Sequence, residues 1–195
     1  MTQEARLRPD ARRNREKLIA AAAEAFATDG VGTSLEDVAR RAGVGIGTLY
    51  RHFPSRDALV AAVYRQEVGS LAAAAPALLA EWPPDVALRR WMDRFVGYAA
   101  AKRGMGEALQ AAMASDSELH AEGFAALSGA LDALVGAAVA AGVVRADARG
   151  DDVLRALGAL WMIRDGDDRE AQTARTLDLI LDGMRYGAPG PGARR

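Results

Sequence analysis

The chain has 195 residues and no cysteine, which excludes a disulfide framework and thiol chemistry. Only two histidines occur, His52 and His120. They are too few and too isolated to assemble a metal site or a nucleophile, base and orienter. Aromatic residues are scarce at 6%, so a core must be built mainly from Ala, Leu and Val. Alternating β-branched stretches are also scarce, which argues against strands. Arginines or acids interrupt each apolar run, so none is expected to span a bilayer. The stretch Met1 to Arg15 is polar and arginine-rich, without the apolar core of a signal peptide. A cytoplasmic protein with no membrane partner is expected. No Walker loop is present, since Gly43-Val-Gly-Ile-Gly47 carries no Gly-Lys-Ser/Thr. The acidic loop Asp165-Gly166-Asp167-Asp168 lacks the spacing and closing Glu of a calcium loop. No cofactor and no enzymatic activity are expected.

What is abundant is alanine, the strongest helix former, and half of all residues are hydrophobic. An all-α protein follows. Net charge is −1, but its distribution is uneven. Residues 1–56 hold ten Arg or Lys against seven Asp or Glu, giving +3, and the remainder holds fifteen against nineteen, giving −4. A mildly basic head on an acidic body suits contact with phosphates at one end.

The most informative stretch runs from Ser34 to Asp57. Ser34 precedes an apolar-periodic run and Asp37 lies three residues on, a capping-box start. Leu35, Val38, Ala39 and Ala42 share one face, with Arg40 and Arg41 turned outward. Gly43 can take the positive φ that ends a helix sharply, and Val44 fits between two helices. A brief second helix from Gly45 to His52 buries Leu49 and Phe53. Pro54 stops it, and Ser55 is placed to cap the next. Two short helices joined by a tight glycine turn form a helix-turn-helix, whose second helix can enter the major groove.

This segment resembles the TetR family of bacterial transcription regulators. The resemblance rests on a helix ahead of the motif, the run Thr-Leu-Tyr-Arg-His-Phe-Pro-Ser-Arg (Thr48 to Arg56), and a following helix beginning Asp57-Ala58-Leu59. It implies a homodimer with paired N-terminal readers and a C-terminal ligand-binding and dimerisation body. More loosely, it implies a repressor released by a small molecule. Carried over by position, Thr48, Tyr50 and His52 face the groove or the phosphates, and Arg56 meets a phosphate. Thr33 and Ser34 stand at a helix N-terminus able to bind one. Tyr50 also admits a core role. This chain departs from many relatives at Gly45, Ile46 and Gly47, where polar or basic side chains are common. Glycine lets backbone approach DNA closely, and Ile46 can contact a thymine methyl. Base reading then falls mainly to Thr48 and Arg51, with half-site spacing and DNA shape contributing.

The expected organisation is a disordered basic arm over 1–12, with Arg6, Arg8, Arg12 and Arg13, followed by a helix-turn-helix domain over 13–55. A connecting helix covers 56–82, to be ended or bent by Pro76. A C-terminal ligand-binding and dimerisation domain covers 83–187, with a loose tail over 188–195. Gly104 and Gly106 are expected to flank a short separate helix. Trp91, Phe95, Tyr98, Met105, Met113, Phe124, Trp161 and Met162 read either as core or, among many small residues, as the lining of an apolar pocket. Arg94, Arg103, Gln110 and Arg164 are candidate polar anchors in it. An effector of such a pocket would be aromatic or lipophilic. Leu154, Leu157, Gly158, Trp161, Leu177, Ile180, Leu181 and Met184 give the last two helices apolar faces. Those faces either cover the chain's own core or pair across a two-fold axis with a second copy. The expected partners are therefore a palindromic duplex operator, a second copy of the chain and a small effector. A helical protein-interaction module without sequence-specific DNA binding is the alternative.

Overall fold

The computed structural model describes residues 3–163 and 166–188. Among these residues the regular elements are all helical. They are α1 (Gln3–Asp29), a 3₁₀ turn (Gly30–Gly32), α2 (Leu35–Arg41), α3 (Ile46–His52), α4 (Arg56–Glu81) and α5 (Pro84–Ser115). Next come α6 (Ser117–Ala140), α7 (Gly150–Leu157), a 3₁₀ segment (Gly158–Met162) and α8 (Arg169–Arg185).

Two compact units emerge, and they do not follow chain order. The head comprises residues up to Glu67 together with Ala100–His120, and the body comprises Val68–Ala99 together with residues from Ala121 onward. Thus α4 and α5 each contribute to both units, which the expected division at residue 83 does not anticipate. Long helices can serve two cores in succession because each turn buries its own stripe.

In the head, Leu18, Ala22 and Phe26 of α1 are fully or almost fully buried with Val38, Leu49 and Leu59. Part of the expected arm over 1–12 is helix, since α1 begins at Gln3. The pairs Arg12–Glu16, at 2.9 Å, and Asp10–Arg13 lie one turn apart and support that helix where composition suggested a loop. The segment Ala100–Ser115 of α5 also packs in the head. At Gly104 a Cβ would fall 2.3 Å from the Phe26 carbonyl oxygen, so only glycine permits this approach of α5 to α1. Two residues on, Gly106 adopts φ 41° and ψ −127°, a non-helical break inside α5. The expected separate helix is therefore the end of a kinked one. Arg65 of α4 donates to Asp116 at 2.5 Å, and this pair holds the Asp116 carboxyl below the usual aspartate range.

In the body, Leu88, Trp91 and Met92 are fully buried, as are Leu131, Leu134 and Leu157. The Trp91 indole donates to the Leu71 carbonyl at 2.8 Å, which satisfies its one polar atom inside the core. Helix α4 runs through Pro76 to Glu81, so that proline does not end it. Helix α6 corrects another expectation. Ser117–Ala140 is long and apolar enough to cross a membrane by length and composition, despite Glu118, Glu122 and Asp132. Here it is a core helix, burying Leu127, Leu131, Leu134, Val135 and Ala138. Its polar side meets the start of α7, where Asp132 accepts from the Gly150 amide at 3.1 Å and Ser128 donates to Asp151.

Candidate nucleic-acid interface

The local chemistry of residues 33–56 builds the site. The Ser34 hydroxyl accepts from the Asp37 amide at 3.0 Å and donates to the Asp37 carboxylate at 2.9 Å. That cap starts α2 and satisfies one of its orphan N–H groups. Gly43 turns the chain at φ 67°, and the Val44 amide reaches back to the Ala39 carbonyl at 3.0 Å. Helix α3 then starts at the extended Gly45. It is anchored by Leu49 and by Phe53 just beyond its end, both buried. Ser55 caps α4 by accepting from the Ala58 amide at 3.1 Å.

The side chains singled out in the sequence fall into two groups. Gly45, Ile46, Gly47, Tyr50 and Arg51 are exposed, with Ile46 at 36% and Tyr50 at 48%. Tyr50 is therefore not a core residue of this chain. Thr48 and His52 are half-buried, and the His52 ring lies 6.3 Å from that of Phe53. Arg51 folds along its own helix, donating to the Gly47 carbonyl at 3.1 Å and to the Thr48 hydroxyl at 3.2 Å. Thr33, by contrast, is turned inward. It is buried, and its hydroxyl donates to the Gly30 carbonyl at 3.1 Å, which closes the turn ahead of α2. Its hydroxyl is thus engaged within the loop. Arg56 donates to the Thr33 carbonyl at 2.6 Å and braces the same loop from the first turn of α4.

A short helix with an exposed outer face, held on α1 and α2, is how a helix-turn-helix presents a reader to the major groove. Family models divide the chain between them. Residues 18–63 match that for bacterial regulatory proteins of the tetR family, and residues 83–186 match that for the C-terminal domain of SbtR-like transcriptional regulators. The chain belongs to the TetR family. Among solved structures it resembles the TetR transcriptional regulator SCO0520 from Streptomyces coelicolor, at 46% identity and a TM-score of 0.79. It also resembles the TetR transcription regulatory protein from Mycobacterium vanbaalenii, at 36% identity and a TM-score of 0.72. Each alignment covers 92% of this chain and 99% of the other. Reduced NemR of E. coli shares the fold at 14% identity, with a TM-score of 0.69 over 92% of this chain and all of that one. The protein is a DNA-binding transcriptional regulator. TetR regulators are soluble, non-enzymatic proteins that bind DNA operators and act as dimers.

The body residues of this TetR regulator are arranged differently from the expected sets. Trp91, Phe95, Tyr98 and Trp161 form a chain of ring contacts, with centroids 5.9, 5.3 and 6.5 Å apart in that order. The first three are buried and Trp161 is half-buried. Half-buried Phe124 belongs to the same unit, whereas Met105 and Met113 belong to the head and Met162 is 84% exposed. Of the candidate anchors, Arg94 and Gln110 are exposed, Arg103 is half-buried in the head, and Arg164 lies outside the described residues. Asp165 and residues 189–195 of the expected tail lie outside them too.

The expected dimer face is likewise mostly turned inward. Leu154, Leu157, Leu177, Leu181 and Met184 are buried in the chain's own unit, while Gly158, Trp161 and Ile180 are half-buried. Apolar spacing marks a buried face but does not say which partner buries it. The large apolar side chains left outside in this unit are Met162, expected in the pocket, and Leu179 at 75% exposure and Tyr186 at 83%, which the sequence did not single out. Between α7 and α8 a groove of about 360 Å³ is lined by Val153, Leu179, Ile180 and Met184, with Arg145 and Arg149 at its edge.

Proposed function

We propose that this TetR regulator works as a cytoplasmic homodimeric repressor on a palindromic operator and that a small apolar or aromatic molecule releases it. The observation that carries the reading is the exposed face of α3, Gly45 to Arg51, on a helix whose inward side is sealed by Leu49. In this reading Ile46, Thr48, Tyr50 and Arg51 face the groove, and Gly45 and Gly47 permit close approach. Ser34 and His52 line the phosphate side, and Arg56 reaches a phosphate from its place beside Thr33. Two such helices must lie about 34–36 Å apart to enter successive major grooves. An effector that favours another spacing lowers operator affinity by its differential binding to the two states. The aromatic series Phe95, Tyr98 and Trp161 supports an apolar or aromatic effector. The exposed Leu179 and Tyr186 with half-buried Ile180 support pairing of two copies through the α8 side.

Selection of a randomised duplex library on the purified protein tests the reading. An enriched palindrome, with two chains bound per site, is the expected result. Retained fragments without symmetry, or one chain per duplex, would overturn it.

A further inference from the structure

The composition of α3 is unusual for a helix that reads bases, and at Gly47 the structure offers no internal reason for it. Gly47 sits inside a seven-residue helix and Gly45 caps it with an ordinary extended backbone, φ −72° and ψ 147°. Neither glycine has a positive φ. A Cβ on either would meet nothing within 4 Å. The chain's own packing and backbone thus do not require glycine at position 47, inside the helix, where alanine would be more favourable, whereas at position 45 glycine is a favoured helix cap.

Between these glycines stands Ile46, and one turn on stands Tyr50. At i and i+4 they share one face, and both are among the exposed large apolar side chains of the protein. The polar groups beside them are engaged with each other, because Arg51 is held by the Gly47 carbonyl and the Thr48 hydroxyl. In the major groove the apolar feature available to such a ridge is the C5-methyl group of thymine. We infer that α3 reads thymine methyl groups through Ile46, seated between two glycines that bring the helix close to the bases, with Tyr50 extending the contact. The inference rests on the operator reading above and names the chemistry by which that operator is distinguished.

The test takes a duplex selected from the randomised library and remakes it with deoxyuridine in place of each thymidine in turn. This removes one methyl and leaves every hydrogen-bonding group. Loss of a buried methyl contact should weaken binding roughly three- to fivefold per site. The wild-type protein is expected to show this loss at one or two positions in each half-site. Ile46→Ala should bind the thymidine and deoxyuridine duplexes alike at those positions, and Ile46→Val should keep part of the difference. A thermal melt of each variant shows that it is folded, as its exposed site predicts. Equal wild-type affinity for both duplexes would overturn methyl reading while leaving operator binding intact. So would discrimination that survives unchanged in Ile46→Ala. If no duplex is retained at all, the operator reading falls and this inference falls with it.

Discussion

Helices α3 and α8 both carry apolar residues at helical spacing, yet α8 buries most of its set and leaves Leu179 outside, whereas α3 leaves most of its set outside. In α8, Leu177, Leu181 and Met184 are buried in the unit that contains them. In α3, Leu49 alone is buried, and Ile46 and Tyr50 stand outside. The first pattern is what folding requires of an amphipathic helix. The second leaves apolar surface in water beside Gly47, a helix-interior glycine that no internal contact explains. A residue choice that lowers local stability without an intramolecular return points to a partner, and family membership shows that the partner is DNA. The contrast separates what each region does for the fold from what it does for function.

Changes to buried positions should therefore damage stability, and changes on the outer face of α3 should spare it. The largest effect is expected at Trp91, fully buried with its indole bonded to Leu71. Trp91→Ala should lower unfolding free energy by about 3–5 kcal/mol, read by denaturant titration. Next comes Gly104→Ala, whose new Cβ would collide with the backbone of Phe26. Overpacking of this kind costs about 1–3 kcal/mol. Hydrogen exchange should show the loss in α1 and in residues 100–115. An unaffected melting temperature would mean that this close approach is dispensable. Ser34→Ala removes the α2 cap and should cost about 1 kcal/mol, read by thermal unfolding.

The smallest effect concerns pH. Arg65, followed by the Leu119 and Glu118 amides, holds the Asp116 carboxyl below its ordinary range. Its contribution is therefore present above the ordinary aspartate range and is lost as pH falls toward the lowered value. Asp116→Asn should flatten that acid limb slightly and leave stability at pH 9 and pH 7 in the same relation. Both side chains are partly exposed, so added salt should shrink the difference.

The head motif was legible because its signals are local. The Ser34–Asp37 cap, the turn at Gly43 and the stop before Ser55 each act within a few residues, and all three are seen. What escaped the sequence depends on distant partners. The glycine at 104 is explained only by Phe26, nearly eighty positions away, and the break at Gly106 falls inside the head segment of α5. A hydroxyl before a helix suits either a turn or an anion, and only the fold shows that the Thr33 hydroxyl bonds the Gly30 carbonyl. The apolar faces of α7 and α8 have the same spacing whether covered by this chain or by another. Within the pocket set, Met105 and Met113 follow Tyr98 closely in the chain but belong to the head, which only the fold reveals.

The most direct measurement is a paired one on Gly47→Ala, comparing melting temperature with affinity for the duplex selected by the wild-type protein. The account predicts a melting temperature unchanged or raised, because alanine favours the helix and meets open space, together with a clear loss of affinity. Unchanged affinity, or a loss of stability instead, would contradict the claim that α3 is shaped by DNA rather than by its own fold.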